Sequence, residues 1–465
     1  MKKKLLIGKK VTVMGLGLHG GGVAVVKWLV KHGAIVTVTD LKTKLELKLS
    51  VGKLKGLKVK YVLGKHEISD FKNVDLVVQN PGVPKESKYI KIAENSGVQL
   101  ENEASLFFKY CPAKIIGITG TRGKSTTSAL IYEILKTGRK KVWLAGLPQK
   151  PMLAPLDQIN GDDFVILELS SWQLEILGKQ KQSPHISIIT NIFPDHLNRY
   201  FGMTEYITAK KNIFIYQDPN DVSVLNLDNK ETRKLGKEVS AQRFWFSKKY
   251  FKEQNGCYVK GKNIFFRQNG QELKLASLQA CKLTGEHNLE NVLAALTVAG
   301  ILNISASKIE KTLSKFLGLP GRLELIRNIG GVDYINDTTS TMPDATIAAL
   351  NQFKNKKVIL VAGGDSKNIP DVKYQKLAKL IKQKCKAVIL FSGEGSDQLI
   401  ESLKKIKYKP LIYKVFVMTE AISLAQNFTR QGDIVLLSPA CASFGLFTHE
   451  FDRGEQFNQV VNKGY

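Results

Sequence analysis

The sequence predicts an α/β protein of three domains, each built on a mostly parallel sheet. Three observations carry that prediction. Short Val- and Ile-rich runs alternate with stretches of helical spacing along the chain. Two of these runs end in glycine-rich loops that open helices. The length of 465 residues suits two to four domains at roughly 100–200 residues each.

The first domain is assigned to residues 1–110. An apolar run at 11–14 ends in Gly15-Leu-Gly-Leu-His-Gly20, and 23–30 continue with helical spacing. Further strands are expected at 34–40, ending on Asp40, and at 74–79, closed by the turn Asn80-Pro-Gly-Val-Pro84. A second domain, 111–317, opens at Cys111-Pro112. It should hold a strand at 115–119, a glycine-rich loop and a helix over 125–135. Strands follow at 164–169, 186–190 and 222–227, then antiparallel strands within 243–277 and a helix over 288–302. The third domain, 318–465, starts at the turn Gly318-Leu-Pro-Gly321, with strands at 332–336, 357–362, 387–391 and 434–437.

Composition narrows the function classes. Hydrophobic residues make up 43% and charged residues 24%, which excludes a disordered chain. No apolar run reaches the length of a spanning helix, and the N-terminus lacks a signal-peptide core, so a cytoplasmic protein without membrane insertion is expected. Five scattered cysteines form no C-x-x-C pair, which argues against a disulfide framework or a zinc site. The net charge of +28 comes from 59 Lys and only ten Arg, spread over the whole length. A nucleic-acid footprint would be clustered and Arg-rich, so no nucleic-acid partner is expected.

The strongest chemical signal is Gly117-Ile-Thr-Gly-Thr-Arg-Gly-Lys-Ser-Thr126 between a strand and a helix. Backbone N–H groups of Gly120, Thr121, Arg122 and Gly123, with Thr126 behind them, would wrap the phosphates of ATP. Lys124 would place a point charge on them, and the Ser125 hydroxyl would ligate Mg²⁺. Ile118 stands where the strict pattern has its first glycine. The other glycine loop, Gly15-x-Gly-x-x-Gly20 with Asp40 twenty residues on, fits a dinucleotide fingerprint. Nothing downstream supplies hydride-transfer chemistry, so a dehydrogenase is disfavoured.

With these strings in place, the chain resembles the ATP-dependent Mur ligases over nearly its whole length. Glu168-Leu-Ser-Ser-Trp-Gln-Leu-Glu175, Asn191-Ile-Phe-Pro-Asp-His196 and Gly285-Glu-His-Asn-Leu-Glu-Asn291 follow the loop in family order. So do Gly318-Leu-Pro-Gly-Arg322, Asn336-Asp337, Gly363-Gly-Asp-Ser-Lys367 and Leu437-Ser-Pro-Ala-Cys-Ala-Ser443. Within the family, the Glu-Leu-Ser-Ser and Ser-Pro-Ala-Cys-Ala-Ser strings point to the member that adds D-glutamate to UDP-N-acetylmuramoyl-L-alanine in peptidoglycan precursor synthesis.

The resemblance implies a carboxylate activated as an acyl phosphate and then attacked by an amine. It implies ATP and two Mg²⁺ ions, held by Ser125, Glu168, His196 and a carbamylated Lys210. Carbamylation needs a neutral amine, hence a depressed pKa, for which Lys211 is a candidate neighbouring cation. The resemblance places Asn288, Asn291, Arg322 and Asp337 around the nucleotide. It places Leu18, His19, Asp40, Lys42, Asn80, Pro81 and Gly82 at the UDP moiety, and Thr341, Lys367 and Ser443 at the amino acid. A monomer is expected.

Three departures bear on amino-acid specificity. Thr339 replaces a family Lys, and Phe447-Thr-His-Glu450 replaces Phe-Lys-Asn-aromatic. Ala145-Gly-Leu-Pro148 lacks an Asn expected near the muramoyl group. The alternatives are a related ligase adding L-glutamate or another amino acid and, more distantly, a nucleic-acid-dependent ATPase.

Overall fold

β-branched runs set the first sheet. Lys10–Met14, Ile35–Asp40, Val59–Leu63, Leu76–Gln79 and Gln99–Glu101 (β1–β5) pair in the order β3-β2-β1-β4-β5, all parallel. The chain leaves β1 with β2 on one side and β4 on the other. The loop after β1 therefore sits at the switch point where such sheets open a crevice. The computed structural model describes residues 5–18, 20–84, 86–147, 150–195, 199–252, 254–283, 285–353, 357–366, 369–407, 412–443 and 445–464.

The second sheet has nine strands: Lys114–Thr119, Val142–Ala145, Phe164–Glu168, Ile186–Ile189, Val222–Asn226, Gln242–Ser247, Gly256–Lys260, Asn263–Gln268 and Gln271–Ser277 (β6–β14). Their order is β14-β13-β12-β11-β10-β9-β6-β8-β7. Pairing is parallel from β7 through β12 and antiparallel only from β12 to β14. The expected antiparallel stretch is thus confined to its last two pairings, and β11 and β12 run parallel. β6 is an interior strand, buried after its first residue, with β8 and β9 on either side, so the phosphate loop also leaves from a switch point.

Both sheets lie within one compact unit, Met1–Phe316. A continuous apolar core explains this, running from Val11, Val26 and Trp28 to Met152, Leu174 and Ile213. Polar ties cross the same seam. Asn102 Nδ2 donates to the Gln173 carbonyl (3.3 Å), and the Leu153 N–H donates to Glu103 Oε1 (3.2 Å).

The second unit, Leu317–Tyr465, holds one sheet. Its strands are Glu324–Ile329, Val332–Asn336, Val358–Gly363, Cys385–Phe391, Ile412–Val415 and Ile434–Leu437 (β15–β20). The order is β15-β16-β20-β17-β18-β19, parallel except for the β15–β16 hairpin. β17 and β20 are buried throughout, which is why they read as unbroken apolar runs. Among the described residues no helix is long and apolar enough to cross a membrane.

Leu360 sits at the middle of β17 with no exposure. Leu360→Ala should cost about 2–5 kcal/mol of stability in that unit, read as an earlier denaturant transition.

Candidate active site

The phosphate loop is built by close backbone approach. Gly120 (φ 152°) lies against Thr190, and a side chain there would place its Cβ 1.9 Å from Thr190 Oγ1. Gly123 (φ 84°) ends the loop, where a Cβ would come 2.1 Å from Asn291 Oδ1. Both positions therefore exclude a side chain twice over, by conformation and by space. The β9 end locks the loop. The N–H groups of Thr121 and Arg122 donate to the Asn191 carbonyl and Oδ1 (both 2.9 Å), and Thr190 Oγ1 donates to the Arg122 carbonyl (2.6 Å). Arg122 thus serves the loop through its backbone.

The helix Lys124–Thr137 begins at this loop. Ser125 Oγ donates to Glu168 Oε2 (2.6 Å) at the end of β8, and Lys124 Nζ stands 4.0 Å from Glu168 Oε1 and 3.2 Å from the Gly120 carbonyl. A hydroxyl, a carboxylate and a cation thus converge on one helix N-terminus. This is the donor set of a hard, oxygen-seeking cation beside a polyphosphate. Among the described residues no group of three His, Cys, Asp or Glu that could hold a metal ion gathers, at this loop or elsewhere.

Lys210 comes to the same place from the helix Met203–Lys211. It is only 2% exposed, and its Nζ donates to the Gly120 carbonyl (3.0 Å) and to Thr119 Oγ1 (3.4 Å) above the Tyr206 ring. Burial, then the nearby Lys124 charge, holds its pKa well below the usual lysine value, against the pull of Asp195 and Glu168. Lys124, not Lys211, is therefore the cation that acts on it. Lys211 lies about 100° further round the helix and pairs with Glu238.

Asn288 and Asn291 do share one helix face. Asn291 Nδ2 donates to Asn288 Oδ1 (3.3 Å), and Asn291 Oδ1 accepts from Thr127 (3.4 Å). Asp195 was missed as a site residue. Its charge reaches both Lys210 and Tyr206, and it stands inside the quoted Asn-Ile-Phe-Pro-Asp-His string. His196 lies outside the described residues, as do His19 and Lys367.

At the first sheet, Asp40 Oδ2 accepts the N–H groups of Leu16 (2.8 Å) and Gly17 (3.3 Å), while Oδ1 accepts that of Lys42 (2.9 Å). Its carboxylate shapes the glycine loop next to Leu18. Asn80 braces the loop from the other side, donating to the Gly15 carbonyl (3.2 Å) and accepting from Gly82 (3.1 Å). A cavity of about 530 Å³ runs from Asn80 and Pro81 past Trp172 to Arg199 and Phe201.

In the second unit, Asp337 is buried under the Gly318–Arg322 turn. It accepts from Ser340 Oγ (2.5 Å), Ser438 Oγ (2.7 Å) and the Leu323 N–H (3.2 Å). Burial outweighs these bonds and the exposed Arg322 charge, pushing its pKa up to about 6. Ser443 is buried at the end of the strand–loop after β20, and Thr341 is half-buried in the loop after β16.

Comparison with known proteins agrees with this geometry. The Mur ligase MurD-like N-terminal domain matches residues 9–101, the Mur ligase middle domain 118–299, and the Mur ligase glutamate ligase domain 321–441. A UDP-N-acetylmuramoylalanine–D-glutamate ligase of Roseiflexus sp. (strain RS-1) is 39% identical, covering 98% of this chain and 99% of that one. Its counterpart in Acetivibrio thermocellus is 36% identical over 99% of this chain and 97% of its own. The chain belongs to the Mur ligase family, and within it to the branch of UDP-N-acetylmuramoylalanine–D-glutamate ligases. Solved structures share the fold. The UDP-N-acetylmuramate–alanine ligase of Thermotoga maritima gives a TM-score of 0.61 at 21% identity, covering 98% of this chain and all of that one. The MurF ligase of the same organism, in complex with ADP, gives 0.55 at 17% identity, covering 99% and 97%.

Asp337 also yields a pH prediction. Its folded pKa lies above the ordinary value of 3.8, so the folded state binds more protons. Stability should therefore fall as pH rises from about 4 to 6, by on the order of 3 kcal/mol, and stay level above. Melting curves of Asp337→Asn should gain on the wild type across that window and run parallel beyond it.

Proposed function

We propose that the protein joins D-glutamate to the L-alanyl carboxylate of UDP-N-acetylmuramoyl-L-alanine at the expense of ATP. The observation that carries this is the convergence of Ser125, Glu168, Lys124 and a buried, easily neutralised Lys210 on one phosphate loop. The domains divide as 1–110 for the UDP moiety, 111–317 for ATP and 318–465 for the amino acid. The cavity between Asn80 and Trp172 takes the sugar that joins nucleotide to peptide.

In the first step a carboxylate oxygen attacks the γ-phosphorus and ADP leaves. The incoming amine then attacks the acyl carbon, phosphate departs and the nitrogen loses a proton. Every reactant in the first step is anionic, so the site must supply positive charge at the transferring phosphoryl. Lys124 and the N–H groups at the start of the helix Lys124–Thr137 do so from the protein, since those of Thr121 and Arg122 already donate to Asn191. Ser125 and Glu168 would hold one Mg²⁺, and His196 with Lys210 a second. Bound there, the ions would supply further positive charge to the phosphates.

Lys210 reaches that role as a carbamate. A neutral amine adds to CO₂, an N–C bond forms, one proton leaves, and the buried cation becomes a carboxylate-like anion. Arg322 and Asp337 serve the nucleotide, and Thr341, Lys367 and Ser443 the carboxylates of the amino acid. The chain acts as a monomer in the cytoplasm, without nucleic acid.

The test is phosphate release with UDP-N-acetylmuramoyl-L-alanine and D-glutamate, L-glutamate, lysine or glycine in parallel. Release should require both the nucleotide and D-glutamate. Dependence on L-glutamate would make Thr339 and Glu450 marks of a changed specificity, and nucleic-acid stimulation would overturn the reading. Lys210→Ala should lose at least about a thousandfold in turnover while still binding ATP, and added acetate should restore part of it. Arg122→Ala should keep ATP binding within about threefold, because only its backbone is used.

A further inference from the structure

The helix Glu450–Lys463 carries Arg453 on its first turn, and that arginine has no exposure at all. Its Nε donates to Thr338 Oγ1 (3.2 Å) and its Nη2 to the Thr338 carbonyl (3.0 Å). The guanidinium stands 6.0 Å from the Phe447 ring, and Nη1 has no hydrogen-bond partner. Among the described residues no carboxylate pairs with it. The nearby Asp337 carboxyl instead lies in the field of Arg322. Burial lowers the guanidinium's pKa to about 10, with Cys441 and Glu450 opposing the shift, so the group stays charged at neutral pH.

A buried charge without an ion pair is costly, and an arriving anion would offset that cost. Arg453 touches Thr338, which leads into Thr339 and Thr341. Its charge also acts on Cys441, two residues before Ser443. It therefore stands behind both loops that carry the amino-acid candidates, and beside Thr339, where the family lysine is missing. Arg453 itself is fully buried, so its charge is less screened than one at the surface.

We propose that Arg453 determines specificity for an amino acid with an anionic side chain, acting through these two loops as a positioning residue and replacing the charge absent at Thr339. This rests on the reading that the second unit binds the amino acid.

The test compares D-glutamate with its neutral isostere D-glutamine, by KM or by inhibition constant against D-glutamate, at saturating ATP and UDP-N-acetylmuramoyl-L-alanine. In Arg453→Met the preference for D-glutamate should fall by about tenfold or more, with the KM for ATP unchanged. Thr338→Val removes the hydroxyl partner of the guanidinium but leaves the charge, and should keep the preference. Equal weakening of both ligands in Arg453→Met would make the residue structural only and overturn the proposal. An unchanged preference, or a preference lost in Thr338→Val, would overturn it as well. Should Arg453→Met not fold, Arg453→Gln, which also removes the charge while keeping a polar side chain, takes its place under the same criteria. Wild-type protein inert with D-glutamate would instead sink the parent reading.

Discussion

The carbonyl of Gly120 accepts from two lysines at once, Lys124 and Lys210, and most of the central site follows from that crowding. Two ammonium groups near one carbonyl, one of them nearly without solvent, repel each other in a medium that screens poorly. The pair is relieved when Lys210 gives up its proton, and its surroundings favour that form. The loop cannot relax around them, because Gly120 and Gly123 pack directly on Thr190 and Asn291. β9 and the helix Glu286–Ile301 thus hold the loop in a shape that sets the protonation of a residue almost ninety positions away.

The parts of this arrangement that could be read in the sequence are those whose residues adjoin one another. Lys124 and Ser125 follow the glycines directly, and Glu168 ends a strand that declares itself by four apolar residues. β17 and β20 are legible for the same reason, since burial on both faces leaves unbroken apolar runs. Gln99–Glu101 and Ile412–Val415 were not legible. They are short edge strands, half polar, and only pairing with β4 and β18 makes them strands. The parallel pairing of β11 with β12 was hidden too, because a short connection suggests a hairpin.

The site showed the same division. The role of Asp40 follows from register: β2 ends beside the loop that leaves β1, so its carboxylate meets backbone N–H groups before it can meet a ribose. That Lys210 rather than its neighbour Lys211 enters the site turns on which side of a helix faces inward, and the cation that depresses Lys210 comes from a different strand–loop–helix. Spacing along one chain segment carries no information about that.

Lys210 and Arg453 pose the same electrostatic problem in separate units. Each is buried, each donates to a backbone carbonyl, and neither has a carboxylate within ion-pair distance among the described residues. Chemistry separates their outcomes. An amine can lose its proton, and burial favours the neutral form of Lys210, the form that the proposed carbamate requires. A guanidinium cannot be neutralised near pH 7, so the same burial leaves Arg453 a permanent positive charge. The proposed reaction would use both: oxygen ligands beside the phosphate loop, and a lasting positive field at the loops assigned to the amino acid. On the proposed roles the two residue types are not interchangeable, because a guanidinium cannot add CO₂ as a neutral amine does, and a buried lysine at 453 could shed the charge that Arg453 keeps.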